Sequence, residues 1–280
     1  MEKSVESFGA VIKTIRQERK LTQKMLSQDI CSQSVLSRIE NGEELPNVVV
    51  MAQICQRLDV TIDQVMTLTR TTTHQTVKIF EEMSTSLRHK KYAELEKMLK
   101  NPETLEKLFL DKDYQRYYYY LGICELYQNE DPIQAMEYLK KGLAYTYGIC
   151  RERTKTSITE IQLLSAIGKV YGRVGQLEIA RDYLERSIQL IRELSNVRLD
   201  IELTRVFYNY ASFLYEQKEY FAAEKQVNQG ILFTKKQMSY YLLDDLFQLK
   251  SYLLKRNGYE KEAKIYQALT DNIRVISESA

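Results

Sequence analysis

One spacing of small residues recurs along the C-terminal part of the chain and restricts the possible fold more than any other feature. The stretches 166–188, 209–231 and 249–271 align without gaps. Small side chains at regular intervals let two antiparallel helices, and the next pair, approach closely. The spacing therefore predicts stacked helix pairs. Each stretch has a small residue, an alanine twelve positions later and another small residue seven positions further on: Gly168, Ala180 and Ser187, then Ala211, Ala223 and Gly230, then Ser251, Ala263 and Thr270.

Two further segments fit the same scheme less regularly. Residues 121–143 fit if one residue is inserted between Gly122 and Ala135, and residues 77–100 look like a degenerate first unit. The pattern resembles the tetratricopeptide repeat, although the units here are longer than that family's period of about 34 residues. Only 10 glycines and 3 prolines interrupt 280 residues, which favours an all-α protein. We expect residues 77–280 to form a tetratricopeptide-like α-solenoid whose concave face is built from the first helices.

The segment from Thr22 to Gly42 predicts two short helices joined by a tight turn. Thr22 and Ser32 are suitable N-caps, and Gly42 stands where a helix end favours a left-handed residue. With Leu36 and Ile39 directed inward, the second helix presents small and amide-bearing side chains, which suit the major groove of DNA. The simpler alternative is a helical hairpin that only buries these two residues. The outward residues are Gln33, Ser34, Val35, Ser37 and Arg38.

This segment also resembles the helix-turn-helix of the Cro/C1-repressor type, the XRE-like family. Leu21-Thr22-Gln23 matches the family's opening, Ser37 to Gly42 matches its SRIENG ending, and Pro46 follows. The resemblance covers about Phe8 to Met66 and implies a five-helix DNA-binding domain in residues 1–66. We expect Gln33 to read a base edge and the local cations to face phosphates. The expected DNA-binding residues are Arg16, Gln23, Lys24, Ser32, Gln33, Ser34, Val35, Ser37 and Arg38.

Residues 67–76 separate the two predicted domains. Six of these ten residues are threonine, whose stiff side chain resists helix formation. We expect a linker that is either flexible or becomes helical when packed. No apolar run approaches the roughly 20 residues of a membrane span, and the N-terminus lacks a signal-peptide core. A cytoplasmic protein without membrane contact is therefore expected.

Neither a cofactor nor an enzymatic activity is predicted. The four cysteines, Cys31, Cys55, Cys124 and Cys150, form no Cys-x-x-Cys pair, and both histidines lie far from them, so no metal site is expected. No nucleophile, base and acid stand at catalytic spacing. The tyrosine-rich run 114–120 has two interpretations. It packs between helices and lines a groove, or it stacks nucleic-acid bases.

The small residue of each first helix serves as a register mark for the concave face. The inward positions are amides, hydroxyls and cations beside aromatic surface, which suit an extended peptide with a terminal carboxylate. The alternative is a polar face that is merely solvated. The predicted peptide-binding residues are Arg116, Tyr119, Gln162, Ser165, Lys169, Arg173, Arg205, Tyr208, Asn209 and Gln248.

The whole chain resembles the peptide-pheromone-regulated transcription factors of Gram-positive bacteria, the PlcR-like and Rgg-like quorum-sensing regulators. The likeness is strongest in Leu21–Gly42 and Phe207–Gln229. It implies a homodimer that binds a double-stranded DNA operator and a short signalling peptide. It also implies that Asn209 clamps the peptide backbone, while Lys169 departs from the asparagine common in that family. The alternative is a helix-turn-helix regulator whose repeats bind a protein partner.

Overall fold

The computed structural model describes residues 8–69, 71–108, 110–147, 156–194 and 200–278. Within these ranges the regular structure is helical, with no strand. The chain divides into two compact units, Met1–Phe80 and Glu81–Ala280. The predicted all-α architecture, a helix-turn-helix unit followed by helical repeats, is confirmed.

The first unit contains the two-helix motif at the centre of a small core. N-cap side chains begin its helices as predicted, because Thr22 accepts a hydrogen bond from the Met25 amide at 3.1 Å and Ser32 from the Val35 amide at 3.3 Å. Gly42 adopts the left-handed conformation expected after the second motif helix, with φ of 77°. The helices are α1 (Phe8–Glu18), α2 (Gln23–Ser27), α3 (Gln33–Glu40), α4 (Val48–Arg57), α5 (Ile62–Thr69) and α6 (Thr71–Arg88).

Close contact between α1 and α3 orients the motif within this unit. A Cβ atom added to Gly9 would lie 1.7 Å from the carbonyl oxygen of Ile39, so only glycine permits this approach. The core beneath the two helices consists of fully or almost fully buried apolar side chains. They are Val11, Ile12, Leu26, Leu36, Ile39, Ile54, Cys55, Leu58 and Val65.

One local expectation differs from the structure. Helix α2 ends at Ser27 rather than Asp29, because the Gln28 backbone leaves the helical conformation with ψ of 131° and Asp29 then turns at φ of 59°. Arg57 donates to the exposed carbonyls of Leu26 and Gln28. The predicted start of α1 at residue 6 lies outside the described residues. Helices α5 and α6 occupy most of the segment 67–76, and the division between the units falls within α6.

The second unit is a series of helix pairs. Consecutive partners α9 and α10, α11 and α12, α13 and α14, and α15 and α16 pack along their lengths, and α11 contacts both α9 and α13. The helices are α7 (Tyr92–Leu99), α8 (Pro102–Glu106), α9 (Asp111–Cys124), α10 (Pro132–Tyr147), α11 (Ile158–Arg173), α12 (Leu177–Glu193), α13 (Thr204–Glu216), α14 (Tyr220–Lys236), α15 (Leu243–Arg256) and α16 (Glu260–Glu278).

The repeated small residues lie where the paired helices meet. Ala180 and Ala223 are fully buried, and a Cβ atom on Gly122 would lie 2.5 Å from the side chain of Leu139. The unit 121–143, which needs one inserted residue, contains a π-helical turn at Glu125–Asn129. A π turn accommodates one extra residue without ending the helix. The irregular spacing of that unit is thereby explained.

Candidate functional site

Helix α3 presents the predicted outward set on a rigid base. Gln33, Ser34 and Arg38 are exposed, whereas Leu36 and Ile39 are buried on the opposite side. Lys24, Ser32 and half-buried Gln23 lie next to the outward set in sequence, and Val35 and Ser37 are half-buried at its edge. The exposed part of α3 therefore offers an amide, a hydroxyl and a guanidinium on one surface.

Arg16 requires a correction. Its residue surface is only 8% exposed, and its Nε and Nη2 donate to the two carboxylate oxygens of Glu40 at 2.6 and 2.9 Å. Its Nη1 donates to the Leu21 carbonyl at 2.8 Å, and Gln23 Nε2 donates to the same carboxylate at 2.9 Å. The hydrogen bond to Glu40 raises the pKa of Arg16. Arg16 therefore neutralises a buried carboxylate and ties α1 to α3, instead of offering its charge to a phosphate.

The helical spacing of α1 in the sequence indicates that Arg16 is buried. Arg16 follows Ile12 by one turn of α1, so it lies on the buried side of that helix. Arg16 was nevertheless assigned to the phosphate-facing surface, because it lies within a cluster of cations in the sequence. Of the other predicted cations, Lys24 is exposed, and Arg38 is exposed with an ion pair to Glu44 at 2.9 Å.

Asn209 is connected to its neighbours on the first helices of the second unit. It is 1% exposed, and its Nδ2 donates to Ser165 Oγ of α11 at 3.1 Å. The hydroxyl of Tyr127 donates to Asn209 Oδ1 at 3.5 Å. The structure thus brings together two predicted residues, Asn209 and Ser165, and adds Tyr127 from the π turn.

Arg205 lies one turn before Asn209 in a cage of tyrosines. Its Nε donates to Tyr241 Oη at 2.9 Å and its Nη2 to Tyr92 Oη at 3.3 Å. The guanidinium carbon lies 4.9 Å from the centre of the Tyr127 ring, a cation–π distance. Arg205 itself is 3% exposed.

A buried carboxylate joins two further predicted residues. Glu202, in a 3₁₀ turn at Ile201–Leu203, accepts hydrogen bonds from Gln162 Nε2 at 3.2 Å and Tyr120 Oη at 3.3 Å, and another from Ser84. Arg116 Nη2 lies 4.0 Å from it. Burial raises the pKa of the Glu202 carboxyl, and nearby Asp200 acts in the same direction, against the opposing effects of Arg116, Ser84 and Tyr120.

Of the remaining predicted peptide-binding residues, Lys169 and Gln248 have separate partners, whereas the Arg173 guanidinium lies 5.4 Å from the centre of the Tyr127 ring that also covers Arg205. Lys169 Nζ contacts Ser212 Oγ at 3.3 Å and Glu216 Oε1 at 3.4 Å, while Arg173 Nη1 donates to the Leu126 carbonyl at 2.5 Å. Gln248 pairs with Gln267 of α16 at 2.8 Å and does not join the clusters around Asn209 and Glu202. Burial raises the pKa of both predicted tyrosines; Tyr119 is buried and Tyr208 is half-buried.

Sequence reasoning missed four residues of this region: Tyr92, Tyr127, Tyr241 and Glu202. The register marks covered first helices only, whereas Tyr127 lies in the π turn, Tyr241 precedes α15 and Glu202 precedes α13. The inserted residue in the unit 121–143 was the available signal for Tyr127. Tyr92 stands at the centre of the degenerate unit 77–100 but was not assigned to the concave face, and nothing in the spacing indicated Tyr241 or Glu202.

A cavity of about 570 Å³ opens beside this region, between the α6–α7 turn and the start of α15. Arg88, His89, Lys90 and Arg274 contribute basic groups to its wall, and Tyr241 contributes its ring. Asp244 lies on the same wall and pairs with Lys90 at 2.9 Å. Lys90 also pairs with neighbouring Asp245 at 2.7 Å, and Arg274 lies 3.7 Å from Asp244. Three Arg and Lys side chains against these two carboxylates leave a net charge of +1 at the wall.

The tyrosine-rich run 114–120 packs between helices, which is the first of its two interpretations. Tyr117 donates to the Leu99 carbonyl at 3.0 Å and Tyr114 to the Leu108 carbonyl at 2.9 Å. Tyr114 stacks on Tyr145 with ring centres 5.3 Å apart. The aromatic faces are thus engaged by helix partners, which favours packing over base stacking.

The cysteines of the described ranges lie in or near the helical cores. Cys55 and Cys124 are buried, Cys31 is half-buried, and Cys150 lies outside the described residues. Burial raises the pKa of the Cys124 thiol to about 12. Across the described part of the chain, no group of three or more His, Cys, Asp or Glu side chains could hold a metal ion. No helix in those ranges is both long enough and apolar enough to span a membrane.

Comparison with known proteins gives a family match for the first unit. A family profile described as Helix-turn-helix matches residues 12–65. Residues 12–65 form a helix-turn-helix domain. No curated protein matches the chain at the sequence level.

Solved structures resemble the chain over nearly its whole length. Bacillus thuringiensis PlcR, in complex with the peptide PapR7 and DNA, is 24% identical with a TM-score of 0.68, covering 98% of this chain and 96% of PlcR. ComR from S. thermophilus, in complex with DNA and its signalling peptide, is 17% identical with a TM-score of 0.60, covering 97% and 94%. ComR from Streptococcus vestibularis, in complex with the peptide XIP, is 15% identical with a TM-score of 0.60, covering 99% and 94%. These likenesses establish the fold of both units.

Proposed function

We propose that this protein is a quorum-sensing transcriptional regulator. It binds operator DNA as a homodimer through residues 1–66, and a short signalling peptide bound by residues 77–280 controls it. The observation that carries the proposal is a helix-turn-helix domain with an exposed polar face on α3, joined to repeats with a buried asparagine and cations on their first helices. Solved proteins with this fold over almost the whole chain were crystallised with DNA and signalling peptides.

In this proposal α3 enters the major groove. The Gln33 amide can donate and accept together, which matches the edge of adenine, and the Val35 methyl groups can contact a thymine methyl group. Exposed Lys24 faces the phosphate backbone. Two such helices related by a two-fold axis read a palindromic site, which is why the active form is a dimer.

The peptide lies along the first helices, beside Asn209. An amide side chain offers one donor and one acceptor, the complement of one peptide unit. In the structure Ser165 occupies the donor of Asn209 at 3.1 Å. A bound peptide would exchange that hydrogen bond for another, which costs little because both states leave the amide satisfied. The peptide then shifts the packing of the repeats, and with it the spacing of the DNA-binding domains.

Two selections with the full chain test the proposal. Random duplex DNA should yield sites with two-fold symmetry, and a mixture of synthetic random heptapeptides should yield retained peptides, identified by mass spectrometry. Recovery of DNA without any sequence enrichment would contradict operator reading. Retention of no peptide, together with a protein captured through residues 77–280, would replace the signalling peptide by a protein partner.

A further inference from the structure

The cations on the first helices differ in how their charge is balanced. Arg116 lies 4.0 Å from Glu202, and Lys169 lies 3.4 Å from Glu216. Arg173 is exposed to solvent, and its guanidinium lies 5.4 Å from the centre of the Tyr127 ring. Arg205 is 3% exposed, and among the described residues no carboxylate lies within ion-pair distance of it.

The tyrosine cage holds the Arg205 guanidinium in a defined orientation. The Tyr241 hydroxyl accepts a hydrogen bond from Nε, and the Tyr92 hydroxyl accepts one from Nη2. The Tyr127 ring covers one face of the guanidinium, with its centre 4.9 Å from the guanidinium carbon. Within the described part of the chain, Nη1 makes no hydrogen bond. A guanidinium has five N–H donors, so the edge formed by Nη1 and the second Nη2 hydrogen remains for a further acceptor.

A buried cation without a counter-charge is unfavourable, and phenol hydroxyls and aromatic faces offset only part of that cost. A carboxylate would supply both the missing charge and two parallel acceptors for the open edge. The neighbouring cavity, whose wall includes Tyr241, has an excess of basic groups that attracts anions. The open edge of Arg205 and the charge of the neighbouring wall therefore favour the same kind of ligand group, a carboxylate.

The position of Arg205 relative to Asn209 restricts where that group lies. The two residues are one turn apart on α13, so their side chains leave the helix about 6 Å from each other. An extended peptide advances about 3.3–3.6 Å per residue. A carboxylate bound by Arg205 would thus lie one or two residues from the peptide unit that Asn209 holds.

We infer that Arg205 binds a carboxylate of the signalling peptide, so that the ligand of this protein is a peptide with an acidic group, either its C-terminus or an aspartate or glutamate side chain. This inference rests on the proposed function. The buried guanidinium then acts as the determinant of specificity for charge, while Asn209 holds the backbone. Neutral peptides of the same length would leave the guanidinium without its counter-charge.

The test uses mixtures of synthetic random heptapeptides in four forms: with free C-termini or C-terminal amides, and with or without aspartate and glutamate. We expect the wild-type chain to retain peptides that carry a carboxylate at least about tenfold over wholly neutral ones. The amide arm and the acid-free arm distinguish the terminal from the side-chain carboxylate. Retained peptides resynthesised as amides, or with asparagine and glutamine, should bind the wild type at least about tenfold more weakly.

Variants assign the preference to Arg205. Arg205→Gln should abolish the preference for carboxylates, and Arg205→Lys should keep part of it. Arg181→Gln is the control. Arg181 already forms an ion pair with the carboxylate of Glu219, so its loss should leave the preference for carboxylate peptides unchanged. The unfolding temperature of Arg205→Gln should stay equal or rise, since an unbalanced buried charge is removed.

Three outcomes contradict different parts of this account. Equal retention of charged and neutral peptides by the wild type would overturn the inference and leave peptide sensing intact. A carboxylate preference that persists in Arg205→Gln would assign it to another residue. Retention of no peptide of any form would overturn the proposed function itself, and the inference with it.

Discussion

At the scale of single residues, we propose that Gln33 reads the base sequence of the operator. Gln33→Ala should weaken binding to the selected operator by about 1–3 kcal/mol and relax specificity at one base pair, because a bidentate contact to one base is lost. Lys24→Ala is the control, and should weaken operator and random DNA alike while lowering the salt dependence. Binding to both DNAs at several salt concentrations measures the two effects. An equal loss on both DNAs for Gln33→Ala would remove it from the recognition surface.

Arg16 stabilises the first unit by pairing with the buried carboxylate of Glu40. Arg16→Ala leaves the Glu40 carboxylate, whose side chain is fully buried, without its cation. We expect a loss of about 3–5 kcal/mol in the free energy of unfolding of that unit. Arg19→Ala should change it little, because Arg19 is exposed in the turn after α1 and loses only one exposed hydrogen bond, to the Asp59 carbonyl at 3.3 Å. Calorimetry of the full chain measures both, and a normal unfolding temperature for Arg16→Ala with weaker binding to all DNA would restore the phosphate role.

Glu202 should make the stability of the second unit depend on pH. Because the folded pKa of this carboxyl is raised above its ordinary value of 4.5, the folded state binds the proton more tightly than the unfolded state. The associated stability is present below the unfolded pKa and is lost as pH rises through the folded pKa. Glu202→Gln removes this ionisation. The variant should therefore gain stability relative to wild type as pH increases above about 4.5. Urea unfolding at several pH values measures this, and a difference in the free energy of unfolding that does not change with pH would contradict it.

At the scale of helices, two glycines on α11 provide a matched pair. A Cβ atom on Gly168 would lie 2.8 Å from Leu184 and 3.1 Å from the Ala180 carbonyl, whereas on Gly172 the nearest atom, in Phe213, is 3.6 Å away. Gly168→Ala should destabilise the repeats by about 1–3 kcal/mol through overpacking. Gly172→Ala should be neutral or stabilise by up to about 1 kcal/mol, since alanine favours the helix. Unfolding followed by circular dichroism compares them, and equal effects would refute the role of close helix contact.

Helices and their caps were predictable because their causes are local. Thr22, Ser32 and Asn47 each accept a hydrogen bond from the backbone three residues later, and no other segment is needed. The contact at the end of α2 was not predictable, because Arg57 of α4, which donates to the Leu26 and Gln28 carbonyls, lies far away along the chain. The π turn was visible only as an inserted residue.

At the scale of the whole molecule, the fold followed from spacing, whereas the chemistry of the groove did not. Tyr92, Arg205 and Tyr241 lie in three separate elements, and only the folded chain brings them into contact. Tertiary packing also separated the predicted peptide-binding residues. Asn209 donates a hydrogen bond to Ser165, whereas Gln248 pairs with Gln267 of α16. A sequence pattern reports which face a residue occupies, and partner identity depends on tertiary packing.

In the proposed function, a peptide bound by the repeats controls operator binding by the first unit. The direct measurement is the affinity of the full chain for its selected operator, with and without a saturating concentration of a retained heptapeptide. We predict a change of about 5–150-fold, the usual range of coupling between two sites. Asn209→Ala should need a higher peptide concentration for the same change, and Asn228→Ala, on α14, should not. An operator affinity that is identical with and without bound peptide would contradict the account.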